Sequence, residues 1–394
     1  MRHISLLFII CLLRFQLIAQ NGGERSEIII LDTNLVKSDT ILRLPKVAPV
    51  SKFKKFISKD RSFVISPELG RKPETGLLWG IYYMQLFRLS HKNDSTSRTS
   101  NVESYFDYTA RKQILVSIKN NIFFNKEKFI LKGENAYIKF PSLYWGIGNN
   151  APLNPQELIS YKMFTITQKL LCKISKKYFA GIQYHYMDVN NVEYFDGNVF
   201  AKENIPGSAG SINSGAGLVF LYDSRDNIIN AYKGFYFEAS MLSNPKLLGG
   251  KYQYDNVTLD VRKYLPLSKK KVRILALQGL LNYNSGNVPF RQLAAIGGDQ
   301  IMRGYYTGRF RDKILIAAQA EFRFLVWRNV GLTTFVSLGE VGATFSDFSL
   351  DDTHYTVGSC LRVMINKKER MNIGADMGVG YQTNGLYLNF GEAF

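Results

Sequence analysis

Cysteine and histidine are scarce in this chain, and its one long apolar run is at the very start. Of three cysteines in 394 residues, one is at position 11, and the others, Cys172 and Cys360, stand far apart. A single bridge between them would not hold a chain of this size together, so both read as small buried or lipid-facing residues. The four histidines are dispersed, without the spacing of a metal site. No nucleophile–base pair stands out, so nothing points to an enzyme or calls for a cofactor. Beyond the first 20 residues no segment is long and apolar enough for a membrane-crossing helix, which needs about 20 such residues.

What is present begins with an export signal over residues 1–20. Arg2 supplies the positive start, residues 4–13 form an apolar core with Ser5 as its only polar member, and Leu17-Ile18-Ala19 offers a cleavage site before Gln20. The core is far short of a spanning helix. The formal net charge is +18. A basic balance often signals nucleic acid, but an exported chain rarely meets it, so nucleic acid is excluded as a partner. Lys173, Lys176, Lys177 and Lys269-Lys270-Lys271 stand at the ends of apolar runs. They read as residues that flank a membrane and touch anionic lipid. The 23 tyrosines and 27 phenylalanines suit the interfacial girdles of a barrel.

Residues 21–60 are polar and mixed, broken by Pro45 and Pro49. They are too few to bury a core of their own and read as a short arm on the periplasmic side or a plug. From residue 61 onward, runs of alternating polarity are separated by turn chemistry. They are predicted at 62–69, 76–90, 98–110, 112–124, 127–140, 157–174, 177–190, 211–224, 233–244, 251–266, 271–284, 313–326, 331–343, 354–366, 370–381 and 385–394. Most reach the ~9–11 residues that a tilted strand needs to cross a bilayer. Short connections alternate roughly with longer ones. The expected fold is all-β, a transmembrane antiparallel barrel of about sixteen strands spanning residues 61–394 in a bacterial outer membrane.

Alternation is clearest in one run. Ile314, Ile316, Ala318, Ala320, Phe322, Phe324 and Val326 share one parity and are expected to face lipid; Gln319, Glu321 and Arg323 share the other and are expected to face the lumen. At the end of the chain, Leu386, Leu388, Phe390 and Phe394 share a parity opposite Tyr387, Asn389 and Ala393. This predicts a last strand running to Phe394, with Phe390, Gly391 and Phe394 as a C-terminal assembly signal.

The longest connection of the second half contains Ile296-Gly297-Gly298-Asp299-Gln300-Ile301-Met302-Arg303-Gly304-Tyr305. A loop this long in a compact barrel folds inward or has a task. Its glycines permit tight turns around Arg303. Arg303-Gly304-Tyr305 after Gly297-Gly298 resembles the Arg-Gly-aromatic motif of the BamA/TamA family of outer-membrane insertases and two-partner secretion transporters. Glu321-Phe322-Arg323, Asp223-Ser224-Arg225-Asp226-Asn227 with Gly234, Gly358 to Arg362, and Gly391 to Phe394 agree with it in order.

The resemblance implies that the sixth outer loop enters the lumen and that Arg303 meets acidic residues on the wall, with Glu321 foremost. It also implies a Phe followed two residues later by Asp on the next strand. Phe335 is present, but Ser337 stands in the place of the Asp, so the loop is expected to be held less firmly. Family insertases carry periplasmic substrate-receiving domains, and residues 21–60 cannot hold even one. The resemblance is therefore to a subset without them. No Gly-x-Ser-x-Gly elbow supports the lipase found fused to some relatives.

The expected function is help with insertion or translocation of proteins or lipids at the outer membrane. The expected partners are membrane lipid, unfolded outer-membrane protein and a separate periplasmic protein. A passive or gated channel and a barrel that anchors a periplasmic partner are the alternatives.

Overall fold

A computed structural model of the chain describes residues 63–72, 76–89, 97–195, 200 and 203–394. The signal and the arm predicted over 1–60 lie outside these residues.

The strands are β1 (Phe63–Lys72), β2 (Gly76–Phe87), β3 (Ser100–Thr109), β4 (Ile114–Phe124), β5 (Phe129–Lys139), β6 (Ser142–Tyr144), β7 (Glu157–Ser175), β8 (Tyr178–Tyr194), β9 (Ser211–Asp223), β10 (Gly234–Asn244), β11 (Tyr254–Pro266), β12 (Arg273–Gly286), β13 (Ala294–Ala295), β14 (Arg311–Asp312), β15 (Ile314–Trp327), β16 (Val330–Gly342), β17 (His354–Asn366), β18 (Met371–Gly380) and β19 (Thr383–Phe390). Sixteen of them are long, and each of these pairs antiparallel with its chain neighbours. β19 meets β1, which closes the sheet into a barrel. Every predicted run corresponds to one long strand, with ends displaced by a few residues. β6 pairs only with β7, and the two-residue strands β13 and β14 pair with each other.

Physical chemistry sets the register. On β15, Gln319, Glu321 and Arg323 are buried in the lumen, while Ile316 and Val326 are 42% and 62% exposed on the outer wall. A slip of one residue would carry three polar groups, two of them charged, into hydrocarbon, at a cost of several kcal/mol for a charge near the midplane. Ile314 departs from its predicted lipid-facing position and is buried. It begins the strand opposite Tyr283, and Phe345 of the next loop stacks on Tyr283 with ring centroids 5.6 Å apart.

The end of the chain also departs from expectation. β19 stops at Phe390, and Gly391 takes φ +87, a left-handed conformation that favours glycine. The chain then turns into the lumen. Phe390 stacks flat on the lumenal Tyr82 at 3.8 Å, and Phe394 packs among Tyr264, Ile274 and Ala276. The reason is Glu392. Continuing the strand would set its carboxylate on the lipid-facing parity with Leu386 and Leu388, whereas in the lumen it meets two arginines.

The closing seam is sparse. β1 pairs with β2 along the whole of Phe63–Lys72. Among the described residues it meets β19 only where Arg71 lies opposite Leu386. Hairpin alternation places the start of β1, the end of β19 and the turns 125–128, 176–177, 224–233, 267–272, 328–329 and 367–370 at one end, the terminal end. The loops 140–156, 195–210, 245–253, 287–313 and 343–353 are at the other, the loop end.

Candidate functional site: a loop clamped to the barrel wall

Loop 287–313 enters the lumen as a folded unit. The β13–β14 pair closes its neck, with Ala294 opposite Asp312 and Ala295 opposite Arg311. Beyond the neck, Ile296 N donates to Phe310 O at 3.0 Å and Gly308 N donates to Ile296 O at 2.9 Å. Ile296, Met302, Tyr305 and Phe310 form an apolar cluster with Leu315, Ala317 and Val341 of the wall. Tyr144 and Trp145 are buried loop-end packing: Tyr144 meets Phe200 and Phe290, and Trp145 meets Tyr306.

The tip lies backbone to backbone on the β18–β19 hairpin, and glycine makes that approach possible. Gly304 has φ +115, and a Cβ there would fall 2.9 Å from the backbone of Gly378. A Cβ on Gly378 would in turn fall 2.2 Å from Arg303 O. Gly304 N donates to the Tyr387 hydroxyl at 2.9 Å, Thr383 Oγ1 donates to Gly304 O at 2.6 Å, and Tyr381 N donates to the Tyr305 hydroxyl at 3.1 Å.

From this platform Arg303, fully buried, reaches the wall. Its guanidinium lies 3.7 Å from the centroid of the Phe335 ring. Nη2 pairs with Glu321, and Nη1 pairs with Asp376 Oδ2 at 2.8 Å. The chain of charges then continues. Arg323 Nη2 pairs with Glu321 Oε2 at 2.7 Å, and its Nε lies 3.9 Å from Glu392 Oε2. Arg362 Nε pairs with Glu392 Oε2 at 3.2 Å, and Nη1 pairs with Asp376. Three guanidiniums and three carboxylates thus alternate in a closed, buried and electrically neutral ring. Loop 287–313 supplies one member, the wall strands β15, β17 and β18 supply four, and the segment after β19 supplies Glu392. Arg323 Nη2 also donates to Phe394 O at 3.0 Å.

The structure brings together Arg303, Gly304, Tyr305, Glu321 and Phe335. Ser337 is close by, but its hydroxyl donates to Gln319 Oε1 at 3.5 Å and belongs to none of these ion pairs. The second carboxylate, which Ser337 does not supply, comes from Asp376, two strands further on. Sequence reasoning missed Asp376, Glu392 and the bridging roles of Arg323 and Arg362. For Asp376 a signal existed. Asn372, Gly374, Asp376, Gly378 and Gly380 share the inward parity of β18, so one charge stands among small residues where a loop can lie close. Asp223 and Arg225 form a separate cluster at the terminal end, where Arg98 Nη1 pairs with Asp223 at 2.6 Å.

A sixteen-stranded antiparallel barrel whose longest loop is pinned inside by a buried arginine is a loop-plugged β-barrel of the outer-membrane type. Residues 164–390, more than half of the chain, match the Omp85 superfamily domain. The chain belongs to that superfamily. The structure is similar to BamA from Haemophilus ducreyi lacking POTRA domains 1–3, at 15% identity and a TM-score of 0.52, over 84% of this chain and 69% of that one. It is also similar to CdiB from Acinetobacter baumannii, at 12% identity and a TM-score of 0.55, over 83% of this chain and 59% of that one. At these identities the likeness is one of fold. Among curated protein sequences no match is found.

Proposed function

We propose that this protein is an outer-membrane barrel that assists insertion or translocation of polypeptides at the seam between β1 and β19, with loop 287–313 as its plug. The observation that carries this reading is the seam. A backbone hydrogen bond contributes about 0.5–1.5 kcal/mol net, and among the described residues the only β-bridge between β1 and β19 is at Arg71 and Leu386. Parting this seam costs far less than parting any other. It would offer the unpaired edge of β1 as a template for an incoming strand. The tip of loop 287–313 rests on β18–β19, and Glu392 follows β19, so movement of β19 loads the clamp. In this reading the chain performs no covalent catalysis, and its partners are membrane lipid, an unfolded β-barrel polypeptide and a periplasmic protein that delivers it.

The test is a disulfide across the seam, made by Arg71→Cys with Leu386→Cys in a Cys172→Ser background. Proteoliposomes carrying the reduced protein are expected to speed the folding of a urea-unfolded β-barrel polypeptide, read by its heat-modifiable gel shift. The bridged protein is expected to lose that effect, and reductant to restore it. Equal acceleration by bridged and reduced protein would remove the seam from the mechanism.

A second reading, a gated channel, draws support from a polar lumenal cavity of about 670 Å³ bordered by Lys132, Lys169, Arg262 and the segment Phe390–Phe394. Planar-bilayer conductance separates the two. Under the plug reading wild type is nearly closed, and deletion of residues 294–308 opens a large steady pore. A wild type that already conducts, and changes little on deletion, would favour the simple channel.

A further inference from the structure

We propose that turn 224–233 is a brace that holds the seam between β1 and β19 closed from inside the terminal end, and that the seam parts there only when this turn leaves its seat. The purpose of the brace rests on the seam reading above; its geometry rests on the contacts of the turn alone.

The turn begins on the far side of the barrel. It joins β9 to β10, the eighth and ninth of the sixteen long strands counted from β1, which stand opposite the seam. Two residues suffice for a hairpin at this end, as at 176–177 and 328–329, yet this one has ten.

Those residues are folded, not slack. Asn227 Oδ1 accepts from Ile229 N and from Asn230 N, both at 2.8 Å. Asp226 Oδ1 accepts from Tyr232 N at 2.9 Å and from Lys233 N at 3.2 Å. Short polar side chains that cap their own turn hold it in one shape. Ile228 packs near the root, against the cluster of Phe123, Leu171 and Val219. Ile229 reaches a cluster built from both sides of the seam. Val64 of β1 and Met84 of β2 come from one side, Met371 of β18 and Phe390 of β19 from the other. Polar contacts fix the turn to the same place. Arg370, just before β18, pairs through Nη1 with Asp226 Oδ2 at 2.7 Å, and its guanidinium lies 4.1 Å from the centroid of the Tyr232 ring. Asn227 Nδ2 donates to Glu369 O at 3.3 Å.

Position gives these contacts their weight. The bridge at Arg71 and Leu386 lies toward the loop end of the seam. Toward the terminal end, β1 and β19 share no bridge among the described residues. There the two sides meet through side chains, Phe390 on Tyr82 and Ile229 in the common cluster. Parting them would expose this apolar seat to the polar lumen, which the hydrophobic effect opposes. The ion pair of Arg370 with Asp226 is partly exposed and contributes less.

The experiment uses the full chain in lipid nanodiscs, in a Cys172→Ser background. Spin labels are placed through Ile65→Cys on β1 and Leu388→Cys on β19, both on the lipid-facing parity, and their separation is read by pulsed electron resonance. Wild type is expected to give one narrow distance distribution. Ile229→Ala with Arg370→Glu is expected to add a longer, broader component and to raise its share roughly tenfold. Arg370→Glu alone, which leaves the apolar seat intact, is expected to shift in the same direction by less. Ile229→Val with Arg370→Lys is expected to stay close to wild type, which shows that the change follows the contacts and not misfolding. Trypsin cleavage after Lys233 reports release of the turn itself. A turn that becomes cleavable while the distribution stays narrow overturns the proposal and leaves the turn as a filler of the barrel mouth. A wild type already broad overturns it as well. The labels report the seam without any substrate, so a braced seam that does not speed the folding of a β-barrel polypeptide would count against the insertion reading and leave the brace standing.

Discussion

Arg303→Ala is expected to free loop 287–313 from the wall while leaving the barrel closed. Removing one side of a buried ion pair costs about 3–5 kcal/mol when the other charge is stranded. Here each carboxylate keeps one partner, but the ring is left with three carboxylates and two guanidiniums. Glu321 keeps Arg323, and Asp376 keeps Arg362. The loss should therefore fall within that range, about 3–5 kcal/mol in the urea unfolding of the purified barrel. It should appear locally first. The Gly297–Gly304 stretch becomes a protease site, conductance in planar bilayers rises, and the heat-modifiable gel shift of the folded barrel is retained. Arg303→Lys keeps the charge but loses the planar fork and the stacking on Phe335, so it should fall between wild type and alanine. If the alanine variant is as protease-resistant and as closed as wild type, then the Gly304 backbone contacts and the apolar cluster around Met302 and Tyr305 hold the loop without the ion pairs.

The ring also explains where sequence reading succeeds and where it fails. The strands were legible because lipid imposes a strict rule on each residue. On β15, Glu321 and Arg323 must share a face that avoids hydrocarbon, and that parity can be read without knowing any neighbour. Loop 287–313 was legible through its glycines and its length, and Glu321 through parity and closeness in sequence. Asp376 was harder because it comes two strands later. Its role depends on how the loop tip crosses β16 and β17, which no local pattern encodes. Phe394 was misread for a different reason. Its parity with Leu386 and Leu388 is real, but the intervening Glu392 belongs to the same parity, and a carboxylate cannot follow it into lipid. Counting the charge in that run would have ended the strand at Phe390. The replacement of Asp by Ser337 looked like a loss because it was judged alone, without the wall opposite it.

Asp376→Asn is expected to be about as damaging as Arg303→Ala, and Ser337→Asp is expected to compensate for it. Asparagine at 376 leaves three buried guanidiniums with two carboxylates, an uncompensated positive charge that should cost about 3–5 kcal/mol. Ser337→Asp alone adds a fourth carboxylate to a neutral ring. The excess negative charge should destabilise the barrel even though an Asp two residues after Phe335 is the pattern that the resemblance leads one to expect. Ser337 and Phe335 share the inward parity of β16, and Phe335 lies directly against Arg303, so the new carboxylate would enter the same buried neighbourhood. Together the two changes restore three acids to three arginines. The double variant should be more stable than either single one, with a coupling energy of about 2 kcal/mol in a double-mutant cycle built from urea unfolding midpoints. Charge balance in the ring, rather than a carboxylate at one fixed position, is the quantity this cycle measures. Strictly additive destabilisation would mean that position 337 does not communicate with the ring and that Asp376 is needed for its geometry, including the hydrogen bond it accepts from Asn389 Nδ2 at 3.1 Å.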